Sequence, residues 1–386
     1  MKKVLVRGPL LSESGYGNHA RQVFRWLLNK HPELEITVQV LPWGATSWHI
    51  NPNAENGLIG EIMKRTGDIN KKFDISFQIQ LPNEWDINLA NFNVGISAIV
   101  EANRCNPKWI DACNTMNMIV VPSTYCENTL RATGTVSPPI FVIPESFTPE
   151  ILNEKASIDI DFETSFNFLV VGTITGNNPF NDRKNIFFMI KWLCEEFKND
   201  FDVGIILKTN IGRGTRLDWP SIESMLKKTI DEVRVGPYPK IHIIHGITSN
   251  LEIAGLYRHP KIKALVSATR GEGFGLPILE AAASALPVIV TEQSGHMDFM
   301  KLGKFTKIEY DMKQIHQSRQ DQNIWMTGSN WAEAKEADFK KKVRKFKLSS
   351  LVPKDWANDL AKKICQIYNP NKIDDTYEAT IGHIIK

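Results

Sequence analysis

The 386-residue chain has little of what announces a partner or a compartment. Its 46 Lys+Arg against 43 Asp+Glu leave a net charge of +3, too small a basic excess to mark a nucleic-acid or anionic-membrane surface. Over residues 1–150 the balance is 13 basic to 14 acidic, so no broad phosphate-tracking field covers that half. Long hydrophobic runs are missing and no stretch approaches a membrane span, so no integral membrane association is expected. The opening MKKVLVRGPLL breaks its apolar run at Arg7 and Pro9. It reads as a first strand instead of a secretory leader, and a cytoplasmic chain is expected. The five cysteines (Cys105, Cys113, Cys126, Cys194, Cys365) form no CxxC pair and read as reduced structural thiols. Histidines are scattered, His242 and His245 flank a strand end where ordinary hydrogen bonding suffices, and no Asp-x-Asp ends a strand. No metal is expected.

What is present is alternation. KKVLVRG reads as a strand, SESGYG as a glycine-punctuated loop, and NHARQVFRWLLNK as a helix with Ala20, Val23, Phe24, Leu27 and Leu28 on one face. Strand, glycine loop, helix is how a doubly wound parallel sheet begins. Further strands are expected at EITVQVLPW, FDISFQIQ, NVGISAIV, MNMIVVPS and IFVIPES. The polar stretch TPEILNEKASIDIDFETS then interrupts the pattern as a linker would. The alternation restarts with FNFLVVGTIT, FDVGIILKTN, IHIIHGIT, IKALVSAT and LPVIVTE. The expected fold is α/β: two Rossmann-like, doubly wound parallel-sheet domains facing across a cleft. The first covers 1–147 and the second 166–350, joined by a linker over 148–165. A helical segment over 351–386 packs on either domain. The cleft is the default ligand site.

The segment RGEGFGLPILEAAASALPVIVTEQSG, Arg270 to Gly295, carries the chemistry. Ser267-Ala268-Thr269 ends a strand, Gly271, Gly273 and Gly275 make a turn, and Pro277 suits the first turn of a helix containing Glu280. A helix amino end at the carboxyl edge of a sheet favours a bound phosphate. Glu272 in the loop and Glu280 in the helix can accept hydrogen bonds from sugar hydroxyls on either side of a diphosphate. A solvated loop carboxylate and a helix-surface charge are the bland alternative. Arg183 and Lys184, at the end of the long loop after FNFLVV, offer the cations such a diphosphate needs. By themselves they would read as surface charges at a helix start. Lys208, ending the strand VGIILK, points toward the same edge. Gly15 and Gly17 offer backbone N–H groups from the other domain, or simply a tight turn.

HGIT, LEIAGLYRHPKIKALVSATRGEGFGLPILEAAASALPVIVTEQSG and the spacing of Glu272 to Glu280 resemble the carboxyl-terminal signature of retaining glycosyltransferases of family four, which adopt the GT-B fold. The resemblance runs over residues 168–300 and continues more loosely through SGYGNHAR and EANRCNPKWIDACNTMNMIVVPSTY. It implies a nucleotide-sugar donor, UDP-linked by family frequency, with no cofactor beyond that substrate and no metal. It implies that Glu272 and the loop Gly273, Phe274, Gly275 and Leu276 hold the donor sugar, that Glu280 holds the ribose hydroxyls, and that Arg183 and Lys184 hold the diphosphate. Retention in the family is attributed to a front-face substitution in which the leaving diphosphate helps deprotonate the acceptor.

Two departures stand out. Where many relatives have an arginine after the first strand of the second domain, this chain has Gly172-Thr173. Where many present a histidine after the fourth strand of the first domain, it has Glu101, with Arg104 close by, and Glu101 is expected in the active site. The acceptor is not encoded in donor motifs. Trp43, Trp48 and Trp85 could stack on a sugar or an extruded base, or pack in the core. The run KKKVRKFK, Lys340 to Lys347, meets an anionic acceptor or forms a solvated helix face. The overall texture is similar to phage-encoded and cyanobacterial glycosyltransferases, which suggests 5-hydroxymethylcytosine in phage DNA as an acceptor for glucose or arabinose, beside a cell-surface polysaccharide or a lipid-linked sugar. If phage-encoded, the chain is expected in the host cytoplasm. A nucleotide-sugar epimerase and a non-catalytic nucleotide-sugar-binding protein are the competing classes.

Overall fold

The structure, a computed structural model, describes residues 1–210 and 214–385. The chain divides into two compact units. One comprises Met1–Ser146, Gln322–Met326 and Pro370–Lys386, the other Phe147–Asp321 and Thr327–Asn369.

The first unit is built on six parallel strands: β1 (Lys3–Gly8), β2 (Glu35–Val40), β3 (Phe73–Ile79), β4 (Ala90–Ile96), β5 (Met118–Val121) and β6 (Ile140–Val142). Their order is β2-β1-β3-β4-β5-β6. Val4, Leu5 and Val6 are fully buried on both faces of β1, as a central parallel strand requires. Helix Gly15–Lys30 starts where the Ser14 hydroxyl accepts the Gly17 N–H. It buries Ala20, Val23, Phe24 and Leu27 while Leu28 is half-buried. The same helix receives helix Pro370–Ile381. Trp26 stacks on Tyr377 at 5.1 Å, Arg25 pairs with Asp374 at 3.1 Å, and His19 meets the Tyr377 hydroxyl at 2.9 Å.

The second unit is built on β7 (Phe166–Val171), β8 (Val203–Thr209), β9 (Lys240–His245), β10 (Ile262–Ser267), β11 (Val288–Thr291) and β12 (Thr306–Ile308). All are parallel, in the order β12-β11-β10-β7-β8-β9. A polar hairpin, β13 (Tyr310–Gln314) with β14 (Asn330–Ala334), follows. Chain order runs outward from β7 on one side and from β10 on the other, so the two central strands mark the switch point at which their following loops diverge.

All eleven strands expected from apolar runs form. The expected NVGISAIV strand is corrected: β4 stops at Ile96, and the chain turns through Ile99 at φ +55°. β12 to β14 were not expected, because TKI, YDMKQ and NWAEA are short or polar. The run Lys340 to Lys347 lies on helix Glu336–Leu348 and is not an open basic face. Lys340 pairs with Glu195 at 2.6 Å, Arg344 with Glu196 at 2.6 Å and Lys347 with Asp200 at 2.7 Å, while Phe339, Val343 and Phe346 enter the core. The five cysteines are free, and burial pushes the Cys113 and Cys194 thiols up to about 12. Among the described residues no helix is long and apolar enough to cross a membrane.

Candidate functional site

The β7–β10 switch point brings together two loops, residues 172–185 after β7 and 268–275 after β10, and side chains and backbone lace one to the other. Asp182, fully buried, accepts from the Thr175 hydroxyl at 2.9 Å and from the Ile186 N–H at 2.7 Å, fixing the first loop and starting helix Ile186–Glu196. Asn185 donates to the Ala268 carbonyl, and Arg270 donates its N–H to the Arg183 carbonyl, each at 3.0 Å. These ties set Arg183 and Lys184 above the Glu272 turn.

There the three charges meet. The Lys184 ammonium lies 2.7 Å from each oxygen of Glu272. Arg183 is 3.7 Å from the same carboxylate and donates to the Gly271 carbonyl at 2.6 Å. The Thr269 hydroxyl donates to Glu272 at 2.9 Å. Burial opposes the charge on Glu272, but Lys184 and then Arg183 outweigh it and hold the carboxyl down at about 2. The stem of Lys184 crosses Gly172, whose missing Cβ would lie 3.5 Å from Lys184 Cγ. A cation from further along the loop thus occupies the space beside the first strand's end.

Sequence reasoning missed the support beneath Glu272. Its N–H donates to the Ser294 hydroxyl at 3.0 Å, that hydroxyl meets His296 Nδ1 at 3.3 Å, and His296 Nε2 meets the Thr291 carbonyl at 2.7 Å. Nε2 therefore carries the proton, Nδ1 accepts from Ser294, and burial keeps the ring neutral. Gly295 lets this loop approach, because a Cβ there would fall 2.0 Å from the Gly273 carbonyl. Ser294-Gly295-His296, beginning three residues past the apolar strand VIVT, was the available signal.

The other expected residues have partners of their own. Gly275 takes φ +100° before helix Leu276–Ala283, a left-handed turn that glycine favours. Leu276 opens that helix, and the Phe274 ring is buried against Phe299 at 5.4 Å. Glu280, also buried, has the Tyr257 hydroxyl at 3.5 Å. Burial pushes its carboxyl up to about 7 even though Thr148 and Tyr257 pull the value back. Lys208 donates to the Gly246 carbonyl at 2.6 Å, beside Asn210 at 3.4 Å. In the first unit, Gly17 is sterically required, since a Cβ would sit 2.0 Å from the Ser12 carbonyl, whereas nothing lies within 4 Å of one at Gly15. Glu101 lies in the loop after β4, half-buried and within electrostatic range of Tyr16. Tyr16 stacks on Trp43 at 4.1 Å, Trp85 covers Gly95, and Trp48 is exposed. Among the described residues, no three His, Cys, Asp or Glu side chains are grouped to hold a metal ion.

Comparisons with known proteins bear on the fold and on part of the second unit. Residues 224–346, which contain Glu272 and Glu280, match the family described as glycosyl transferases group 1. A probable sucrose-phosphate synthase of Thermosipho melanesiensis is 32% identical over 170 residues, 43% of this chain and 35% of that protein, so the similarity covers about a third of the relative's length. The two-sheet fold is that of the GT-B glycosyltransferases. Sucrose-phosphate synthase from Thermosynechococcus elongatus superposes with a TM-score of 0.65 at 12% identity, covering 100% of this chain and 99% of that one. A UDP-forming α,α-trehalose-phosphate synthase from Burkholderia xenovorans gives 0.63 at 10% identity, with 100% of each chain covered.

Proposed function

We propose that this chain is a retaining glycosyltransferase that moves a sugar from a nucleoside diphosphate donor, UDP favoured, to a hydroxyl of a saccharide or sugar-phosphate acceptor. The observation that carries the reading is the Lys184–Glu272–Arg183 cluster at the switch point of a nucleotide-binding sheet. Lys184 and Arg183 hold the Glu272 carboxylate. An incoming diphosphate recruits Arg183 and Lys184, and Glu272 is released to accept hydrogen bonds from the sugar. The bond from the anomeric carbon to the diphosphate then breaks, the acceptor oxygen bonds to the same face, and its proton passes to the departing phosphate oxygen. Arg183 and Lys184 stabilise the charge that develops, so positioning and electrostatics carry the catalysis without a metal. Glu280 takes the ribose hydroxyls, and Gly273 with the backbone of Phe274, Gly275 and Leu276 lines the sugar.

The sugar-phosphate acceptor class rests on the names of the relatives matched above. Hydroxymethylcytosine in phage DNA gains no support from them, and the even charge balance of residues 1–150 does not favour a duplex either. The test is nucleoside diphosphate release from a panel of sugar donors, with free sugars, sugar monophosphates, hydroxymethylated duplex or no acceptor, in the presence of EDTA. Release stimulated by a sugar monophosphate, with the anomeric configuration retained, supports the reading. Absence of release from every donor sinks it, and stimulation by the hydroxymethylated duplex alone replaces the acceptor.

A further inference from the structure

At the amino-terminal edge of the second sheet, where β10 and β11 begin, lies a cavity of about 420 Å³. Because the strands are parallel, this edge is opposite the loops that carry Lys184 and Glu272, a strand's length of roughly 20 Å away. Arg258, Lys263 and Lys354 line it, and no Asp or Glu is among the described residues that do. Each cation is held by main-chain carbonyls. Arg258 donates to those of Ile151, Asn153 and Ser284, Lys263 to that of Pro260, and Lys354 to that of Ala285. Those neutral acceptors fix the positive groups without cancelling their charge. The repulsion among them registers on Lys354, whose ammonium is made less basic first by burial and then by Arg258 and Lys263.

Helix ends also meet at the cavity. Helix Leu351–Ile367 begins here, with Ser350 and Leu351 in the lining, while the helices ending at Arg258 and Ala283 bring carbonyl ends that Arg258 and Lys354 cover. Ser284 also lines the cavity; it is 7% exposed, and its hydroxyl is buried without a hydrogen-bond partner.

We infer that this cavity is a second anion site that takes a phosphate group, separate from the loops of the proposed transferase reaction and independent of that reading. The phosphate could be free in solution or belong to a lipid headgroup. Leu351, 80% exposed in the lining, suits the latter.

The experiment is calorimetric titration of inorganic phosphate into the full chain, the Lys184→Ala variant and the Lys263→Ala/Lys354→Ala double variant, whose folding is checked by its thermal midpoint. Arg258 is left intact because it braces three carbonyls. The expected result is saturable binding in the first two proteins and at least a tenfold weaker Kd, about one charge-assisted contact, in the third. A parallel arm measures sedimentation with phosphatidylcholine vesicles with and without phosphatidylglycerol. Binding only to the anionic vesicles, lost in the double variant, assigns the phosphate to a lipid. Binding of either probe that is as tight in the double variant as in the Lys184→Ala protein, or no binding of either, overturns the inference.

Discussion

Lys184 places its ammonium 2.7 Å from both carboxylate oxygens of Glu272, across 88 residues of sequence. Both are largely buried, with side chains 17% and 9% exposed. Removing one partner of such a pair leaves the other charge without its main contact and costs about 3 kcal/mol or more. Lys184→Ala is therefore expected to lower the denaturation midpoint strongly, and adding Glu272→Gln is expected to restore part of the loss. Additive losses in the double variant would show that the two residues are not coupled.

Acid should weaken the same pair. Glu272 sits at about 2 in the folded chain against an ordinary 4.5. A depressed carboxylate contributes stability that is present above the unfolded value and lost as pH falls through the folded one. The contribution is roughly 3 kcal/mol, complete above about pH 5 and gone near pH 2. Unfolding free energy of the wild type should fall through that window by more than that of Glu272→Gln. Parallel curves would reject the assignment.

Glu280 has the opposite sign. Its carboxyl is raised from 4.5 to about 7 by burial, so its contribution to stability is present below about pH 4.5 and is lost as pH rises through 7. Glu280→Gln should flatten the stability decline between pH 5 and 8. If Glu280 holds ribose hydroxyls, donor affinity measured over pH 6–8 should rise as it ionises and should be flat in the variant. An equal rise in the variant would remove Glu280 from donor binding.

The strands were legible because nearly every one in the two sheets is a short apolar run bounded by polar or glycine-rich turns, the signature of strands buried on both faces. Arg183, Lys184 and Glu272 could be grouped from sequence because each follows a strand, and loops after adjacent parallel strands share one sheet edge. That Lys184 and Glu272 would bond each other was not legible, since spacing along the chain says nothing about which of two cations reaches a carboxylate. Ser294 and His296 escaped because they act on the backbone N–H of Glu272 and the carbonyl of Thr291, partners that every residue type offers. β12 to β14 escaped because their polarity matches that of loops.

Gly15 and Gly17 separate a tight turn from a required one. A methyl at Gly17 would lie 2.0 Å from the Ser12 carbonyl, whereas one at Gly15 meets nothing within 4 Å. Gly17→Ala must shift backbone and is expected to destabilise by about 2 kcal/mol or more. Gly15→Ala should be neutral or gain a few tenths through reduced unfolded-state entropy. Thermal midpoints of the two variants decide the matter, and equal shifts would contradict the packing described.

Arg270 is the residue that binds the site to its surroundings. Its guanidinium is 2% exposed, donates at 2.7 Å to the carbonyls of Pro179 and Asp182, pairs with Glu333 at 2.6 Å, and lies 5.1 Å from the Trp331 ring centroid. One side chain thus joins the Glu272 loop to the loop of Arg183 and Lys184 and to β14. The planar fork reaches carbonyls and carboxylate together, which a lysine ammonium does not reproduce. Arg270→Lys is therefore expected to destabilise nearly as much as Arg270→Ala, and neither is rescued by Glu333→Gln, because the two carbonyls stay unpaired. Under the proposed reaction, Arg270→Lys should lower kcat for donor turnover about tenfold or more while donor affinity changes less, since misplaced cations cost most where leaving-group charge develops. An Arg270→Lys protein with wild-type stability and kcat would show that the loops hold their positions without it.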